Sequence, residues 1–108
     1  MYFHDPKNRA TKELLPGIIT RTFWGENILI GVVDLEANTE VPLHSHSYEQ
    51  ISFVLEGELE FTVADETTLL KAGQLAVIPG DVAHGAKTGD QPAKVLDVFS
   101  PAREDYKY

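Results

Sequence analysis

Turn-forming residues recur so closely along this chain that they leave little room for helices, and the stretches between them alternate or cluster branched apolar residues as strands do. Residues 28–35 are rich in Ile, Leu and Val, and 36–39 read as a turn. An extended segment resumes over 41–46. Residues 51–55, the Glu56-Gly57 turn and 58–63 read as a hairpin whose second arm alternates polar and apolar side chains, so one face meets solvent. Leu69-Leu70 and 75–78 suggest a further pair, stopped at Pro79-Gly80, and 84–86 with 94–99 supply the last strands. About eight short strands without an internal repeat predict an all-β sandwich or barrel. Residues 101–108 read as a helical turn or a loose tail.

A chain of 108 residues holds one domain of this kind, expected to be soluble. The absence of cysteine excludes a disulfide scaffold, a thiolate metal site and a thiol nucleophile. The first fifteen residues lack the apolar core of a signal peptide, and no run approaches the roughly 18 apolar residues of a membrane helix, so the cytoplasm is the expected address. Charge is unevenly placed: residues 1–21 carry +2, residues 22–70 carry −10 without a single Lys or Arg, and the remainder is neutral. With a net charge of −8, nucleic acid and anionic membrane are not expected partners, and an anionic substrate needs a local cation to hold it. The slightly basic N-terminal arm reads as surface that can lie against the acidic middle of the chain.

Two imidazoles stand at i and i+2 in His44-Ser45-His46, a spacing that in a strand puts both on one face about 7 Å apart. His84 begins another extended segment after the Pro79-Gly80-Asp81 turn, and Gln50 shares the parity of His44 and His46 if the strand stays regular. Glu49 has the opposite parity and should point outwards; His4 lies apart from these and is not a ligand. Three neutral imidazoles and one amide oxygen suit a single divalent transition metal, with Ni, Zn, Fe, Mn and Co all compatible and positions left for water or substrate.

These residues resemble the cupin superfamily, whose first motif has the form HxHxxxE and whose second has the form Gx5PxGxxH. The first is matched from His44 to Gln50, with Gly57 after it, and the second from Gly73 through Pro79 to His84. Gln50 stands where the motif has Glu, and Asp81 where it has Gly. The resemblance covers about residues 25–100 and implies one cupin domain over 1–108, a small double-stranded β-helix, in agreement with the strand count.

A neutral amide in place of the carboxylate leaves a bound divalent ion its full charge, which makes it a stronger Lewis acid and anion receptor and argues against oxygenase chemistry. Asp97 interrupts an otherwise apolar strand and shares a face with Val95 and Phe99; if that face lines the barrel, its carboxyl can serve as general acid or base. Arg103 can clamp a substrate carboxylate bidentately. This C-terminal run and the HSHxxEQ segment are similar to the small cupins of pectin and alginate breakdown, the KdgF type, which convert 4,5-unsaturated monouronates into linear keto forms. The resemblance implies a catalytic role for Asp97, substrate contacts from Arg103 and Phe99, and an anionic sugar as substrate. A cupin dioxygenase or other metal-dependent isomerase, and a non-catalytic ligand-binding cupin, are the alternative functions. Phe53, Phe61 and Phe99 read first as core, and Trp24 and Tyr48 as caps of the barrel mouth. A homodimer through a barrel edge, with the N-terminal strands free to pair, is expected.

Overall fold

The computed structural model describes residues 2–108. A 3₁₀ turn, Pro6–Asn8, leads into ten strands: β1 Lys12–Leu15, β2 Ile18–Trp24, β3 Leu29–Leu35, β4 Glu40–His44, β5 Glu49–Glu56, β6 Glu58–Val63, β7 Glu66–Lys71, β8 Leu75–Ile78, β9 His84–Thr88 and β10 Ala93–Ser100. A second 3₁₀ turn, Glu104–Tyr106, lies in the tail. The strands form two antiparallel sheets, β1-β2-β3-β10-β5-β8 and β4-β9-β6-β7. Between the sheets lie Val54, Leu59 and Ile78, essentially without exposure, with Ile18, Leu35, Phe61 and Val95 around them. Among the described residues no helix is long and apolar enough to cross a membrane.

Strict alternation builds the larger sheet. Every second residue of β2 and β3 is buried, and the inward set of β2 includes Thr20 and Thr22. Those polar inward residues hide the alternation, which is why β1 and β2 extend the sheet beyond the strands read from sequence. The basic arm lies against the segment 22–70, on backbone and aromatic rings as well as on an acid, since Arg21 pairs with Asp34 at 3.0 Å. Arg9 donates to the backbone oxygens of Thr22 (3.2 Å) and Tyr108 (2.6 Å), and its guanidinium lies against Phe23 and Trp24.

The expected hairpin over 51–63 is not formed. β5 pairs with β10 and β8 in the larger sheet, whereas β6 pairs with β7 and β9 in the smaller one. The chain crosses between sheets at Gly57, a one-residue link with φ of 75°, where a Cβ would come within 2.5 Å of the Pro92 carbonyl oxygen. Glycine alone tolerates both the conformation and the contact. Likewise β7 and β8 lie in different sheets and are not a pair.

Registers place two rows of side chains on the outer face of the larger sheet: Arg21, Val32, Leu96, Phe53 and Leu75 in one, Phe23, Ile30, Val98, Ile51 and Val77 in the next. Nine of these ten are apolar, and Arg21 turns its guanidinium to Asp34 at 3.0 Å. Phe53 therefore belongs to this outer face and not to the core. The smaller sheet presents Glu40, Lys87 and Glu60 in register across its strands. Such a charged outer face is what water-exposed antiparallel sheets carry.

Candidate metal centre

At one end of the sandwich the two sheets part around a cavity of about 510 Å³, with wall residues His44, Gln50, His84, Asp97, Phe99 and Arg103. Each sheet supplies part of the wall. His44 closes β4 directly opposite His84, the first residue of β9, after an irregularity between Val41 and His44. Gly85 makes this irregularity fit, because a Cβ there would lie 2.8 Å from the Val41 carbonyl oxygen. From the larger sheet, the register sets Phe99 opposite Gln50 and Asp97 opposite Ser52, with Gly31 on the other flank of Asp97. A residue without a side chain beside Asp97 leaves the space that the cavity occupies.

The strand carrying His44 does not remain regular to Gln50. It ends at His44, His46 sits in the following loop, and Gln50 faces inward through the separate alternation of β5, in which Glu49 points out and Gln50, Ser52 and Val54 point in. The parity expected to connect these residues is thus replaced by a change of sheet. The loop of His46 is braced by the turn before His84. Asp81, in the position where the motif has Gly, adopts a φ of 66°, a region that Asp enters more readily than most residues, and its N–H donates to the His46 carbonyl at 2.7 Å.

The donor set fits a metal ion. The ligand atoms of His44, His46 and His84 lie within 4.8 Å of one another. Each Nδ1 donates its proton to a nearby backbone carbonyl: Pro42 for His44 at 2.9 Å, Tyr48 for His46 at 3.0 Å and Val82 for His84 at 2.9 Å. A carbonyl only accepts, so all three rings are held in the tautomer that leaves Nε2 as a lone pair. The Nε2 of His84 is buried without a hydrogen-bond partner, and burial lowers the proton affinity of this ring. The Nε2 of His46 faces the Oε1 of Gln50 at 3.0 Å. Two lone pairs at that distance repel unless a cation lies between them, and 3.0 Å is the separation of donors in adjacent positions around an ion with bonds of about 2.1 Å. His4, by contrast, stacks on Phe23 far along the sheet.

Behind the ligands runs a chain of hydrogen bonds. Gln50 Nε2 donates to Ser52 Oγ at 2.9 Å, and Ser52 Oγ donates to Asp97 Oδ1 at 2.6 Å. Burial raises the Asp97 carboxyl from an ordinary 3.8 to about 6, against the opposing pull of the hydrogen bonds and of the Arg103 charge. Arg103 stands at the mouth with its guanidinium over the Tyr106 ring at 3.7 Å, between Phe99 and Tyr48. Its Nε and Nη2 donate to Asp105 at 3.2 and 2.7 Å. Asp105 thereby fixes one edge of the fork and leaves the Nη1 side for another acceptor. Ser52, Asp105 and Tyr106 were not singled out from sequence. The alternation that turns Gln50 inward contains Ser52 as well, whereas Asp105 and Tyr106 lie in a tail with no periodic signal.

The cupin domain model matches residues 31–99. Along 107 residues the chain is 26% identical to the pectin degradation protein KdgF of Dickeya dadantii, covering 97% of this chain and 96% of that protein. The structure of KdgF from a Halomonas species superposes with a TM-score of 0.91 at 25% identity, covering 97% of each chain. An RmlC-like cupin from Shewanella frigidimarina also superposes at 0.91, with 26% identity over 98% of this chain and 96% of that one. Because the matched segment runs from β3 through β10 and takes in every histidine of the cavity, the chain belongs to the cupin domain family.

Proposed function

We propose that this cupin is a metal-dependent enzyme that opens the ring of 4,5-unsaturated monouronates and converts the product to a linear keto form. The observation that carries this reading is Asp97, a carboxyl on the cavity wall that burial pushes up to about 6 and that stands in one hydrogen-bonded chain with the ligand Gln50. Similarity to KdgF over nearly the whole length supports it. His44, His46, His84 and Gln50 hold the divalent ion, which supplies Lewis acidity at substrate oxygens. Arg103 offers its free edge to the uronate carboxylate, an attraction that the net charge of −8 would otherwise oppose. Ring opening breaks the bond between the anomeric carbon and the ring oxygen, while the anomeric hydroxyl gives up its proton and becomes an aldehyde. The ring oxygen leaves as an enolate, which becomes the ketone when a proton reaches the adjacent alkene carbon. Asp97 takes the first proton as a carboxylate and returns one to carbon as a carboxylic acid. Phe99, beside His46 and under Arg103, offers the sugar an apolar wall.

The test is loss of the ultraviolet absorbance of the conjugated alkene when the protein is mixed with a lyase-derived unsaturated monouronate. Acceleration that chelation abolishes and metal restores supports the reading; no acceleration with any of the five metals refutes it. Substrate loss coupled to oxygen uptake would instead identify a dioxygenase.

A second copy of the chain is the occupant we infer for the apolar face of the larger sheet. Five strands about 4.8 Å apart and two rows about 7 Å apart give an apolar patch of about 340 Å², the size of the dry centre of an interface whose charged flanking rows form the rim of the about 800 Å² per partner that is standard. The face is uncharged at its centre, so a copy related by two-fold symmetry meets like with like without burying a charge. The free N-terminal edge strand expected to pair is not needed for this arrangement.

A further inference from the structure

We propose that Ser52 is a positioning residue that sets the polarity of the ligand Gln50, an inference resting on the metal site just described. Ser52 is 1% exposed, lies between Gln50 and Asp97, and has a single hydroxyl proton. With Asp97 ionised, that proton is committed to its carboxylate, which only accepts. The oxygen of Ser52 can therefore only accept from position 50, and Gln50 meets it with its amide N–H. With Nε2 held in this way, Oε1 is the atom turned towards His46. The direction of two hydrogen bonds thus selects which end of a nearly symmetric amide faces the histidines.

The same directionality accounts for glutamine where the family motif has glutamate. A carboxylate at position 50 would present a second acceptor to a hydroxyl whose one proton is already used, leaving lone pairs opposed between two buried side chains. Asp97 and Ser52 together thus disfavour a carboxylate at position 50, so the four donors to the ion are all neutral. Without the Ser52 hydroxyl the amide keeps only its weaker attraction to Asp97 and can turn over by half a turn. Its N–H would then donate to the His46 lone pair and occupy the donor that the metal requires. Loss of Ser52 converts Gln50 from a ligand into a competitor.

Binding of Ni²⁺ and Zn²⁺ to the purified, metal-stripped chain, measured by competition with a chromophoric chelator, tests this without reference to activity. Ser52→Ala should weaken binding about 10–100-fold, the usual effect of removing a group that orients a ligand. In a Gln50→Ala background the same Ser52→Ala change should alter affinity less than twofold, because there is no amide left to orient. Equal losses in both backgrounds would show a general structural effect and overturn the inference, as would unchanged affinity in Ser52→Ala alone; in either case the metal site itself would stand. Failure of the parent chain to bind either ion would overturn the site and this inference together.

Discussion

Replacing Asp97 by Asn should stabilise the metal-free protein while abolishing its proposed catalysis. A carboxyl that titrates at about 6 when folded and near 3.8 when unfolded holds its proton more tightly in the folded chain. Below 3.8 both states are protonated and nothing is lost; as the pH rises the folded state has to give up a proton it favours, and the penalty is complete above 6. At about 1.36 kcal/mol for each tenfold difference in proton affinity, the ionised group costs about 3 kcal/mol at pH 8, roughly half of that at pH 5 and well under 1 kcal/mol at pH 4. Asparagine carries no charge and still offers Ser52 an acceptor, so the variant should recover most of this. In a domain of this size that corresponds to a rise of about 10 °C or more in melting temperature at pH 8. Thermal and urea unfolding of parent and variant in the presence of chelator would measure it. In parallel, the uronate assay on metal-loaded protein should show turnover reduced about 10²–10⁴-fold, as for loss of a general acid-base group. A variant no more stable than the parent at pH 8, or one whose gain is the same at pH 4 and pH 8, would refute the reasoning.

Arg103→Lys should keep the charge but lose the planar fork held by Asp105 and stacked on Tyr106, lowering kcat/KM about 10–100-fold, mostly through KM, in steady-state kinetics on the uronate. Gly57→Ala should destabilise by about 2–4 kcal/mol in urea titrations, because the new methyl meets the Pro92 carbonyl oxygen and the backbone must hold a left-handed conformation. Ile51→Glu or Val77→Glu, at positions 38% and 57% exposed on the outer face, should convert a dimer of about twice the 12.0 kDa chain into a monomer by light scattering without changing thermal stability at low concentration. A parent chain that is already monomeric at high concentration would exclude the proposed pairing.

The three histidines that could hold a metal are legible in the sequence because the i, i+2 spacing and the turn before His84 are local signals. The path that brings Gln50 to them is not, since it depends on the strand ending at His44 and the chain entering a different sheet. Gly57 shows the same limit: Glu56-Gly57 carries the signature of a hairpin turn, and only the Pro92 carbonyl packed against it reveals a crossing between layers. Asp97 could be placed on a face by counting, and the structure puts that face on the cavity. Its tie to Gln50 through Ser52 required the pairing of β5 with β10, two strands more than forty residues apart in sequence. The inward threonines of β2 concealed a strand that ordinary alternation would otherwise have announced.

In the larger sheet β10 lies between β3 and β5, although it follows both of them, and every other described strand, in the order of synthesis. Until about residue 100 has emerged, the two halves of that sheet have no common neighbour, and their apolar surfaces face the cell without cover. Synthesis from the N-terminus therefore cannot complete the domain piecemeal; it closes in one late, cooperative event dominated by contacts distant in sequence, a topology associated with slow folding. A nascent chain that stalls before that point is the species most prone to aggregate, and a chaperone that shields the exposed strands of β3 and β5 would act at the moment of greatest need.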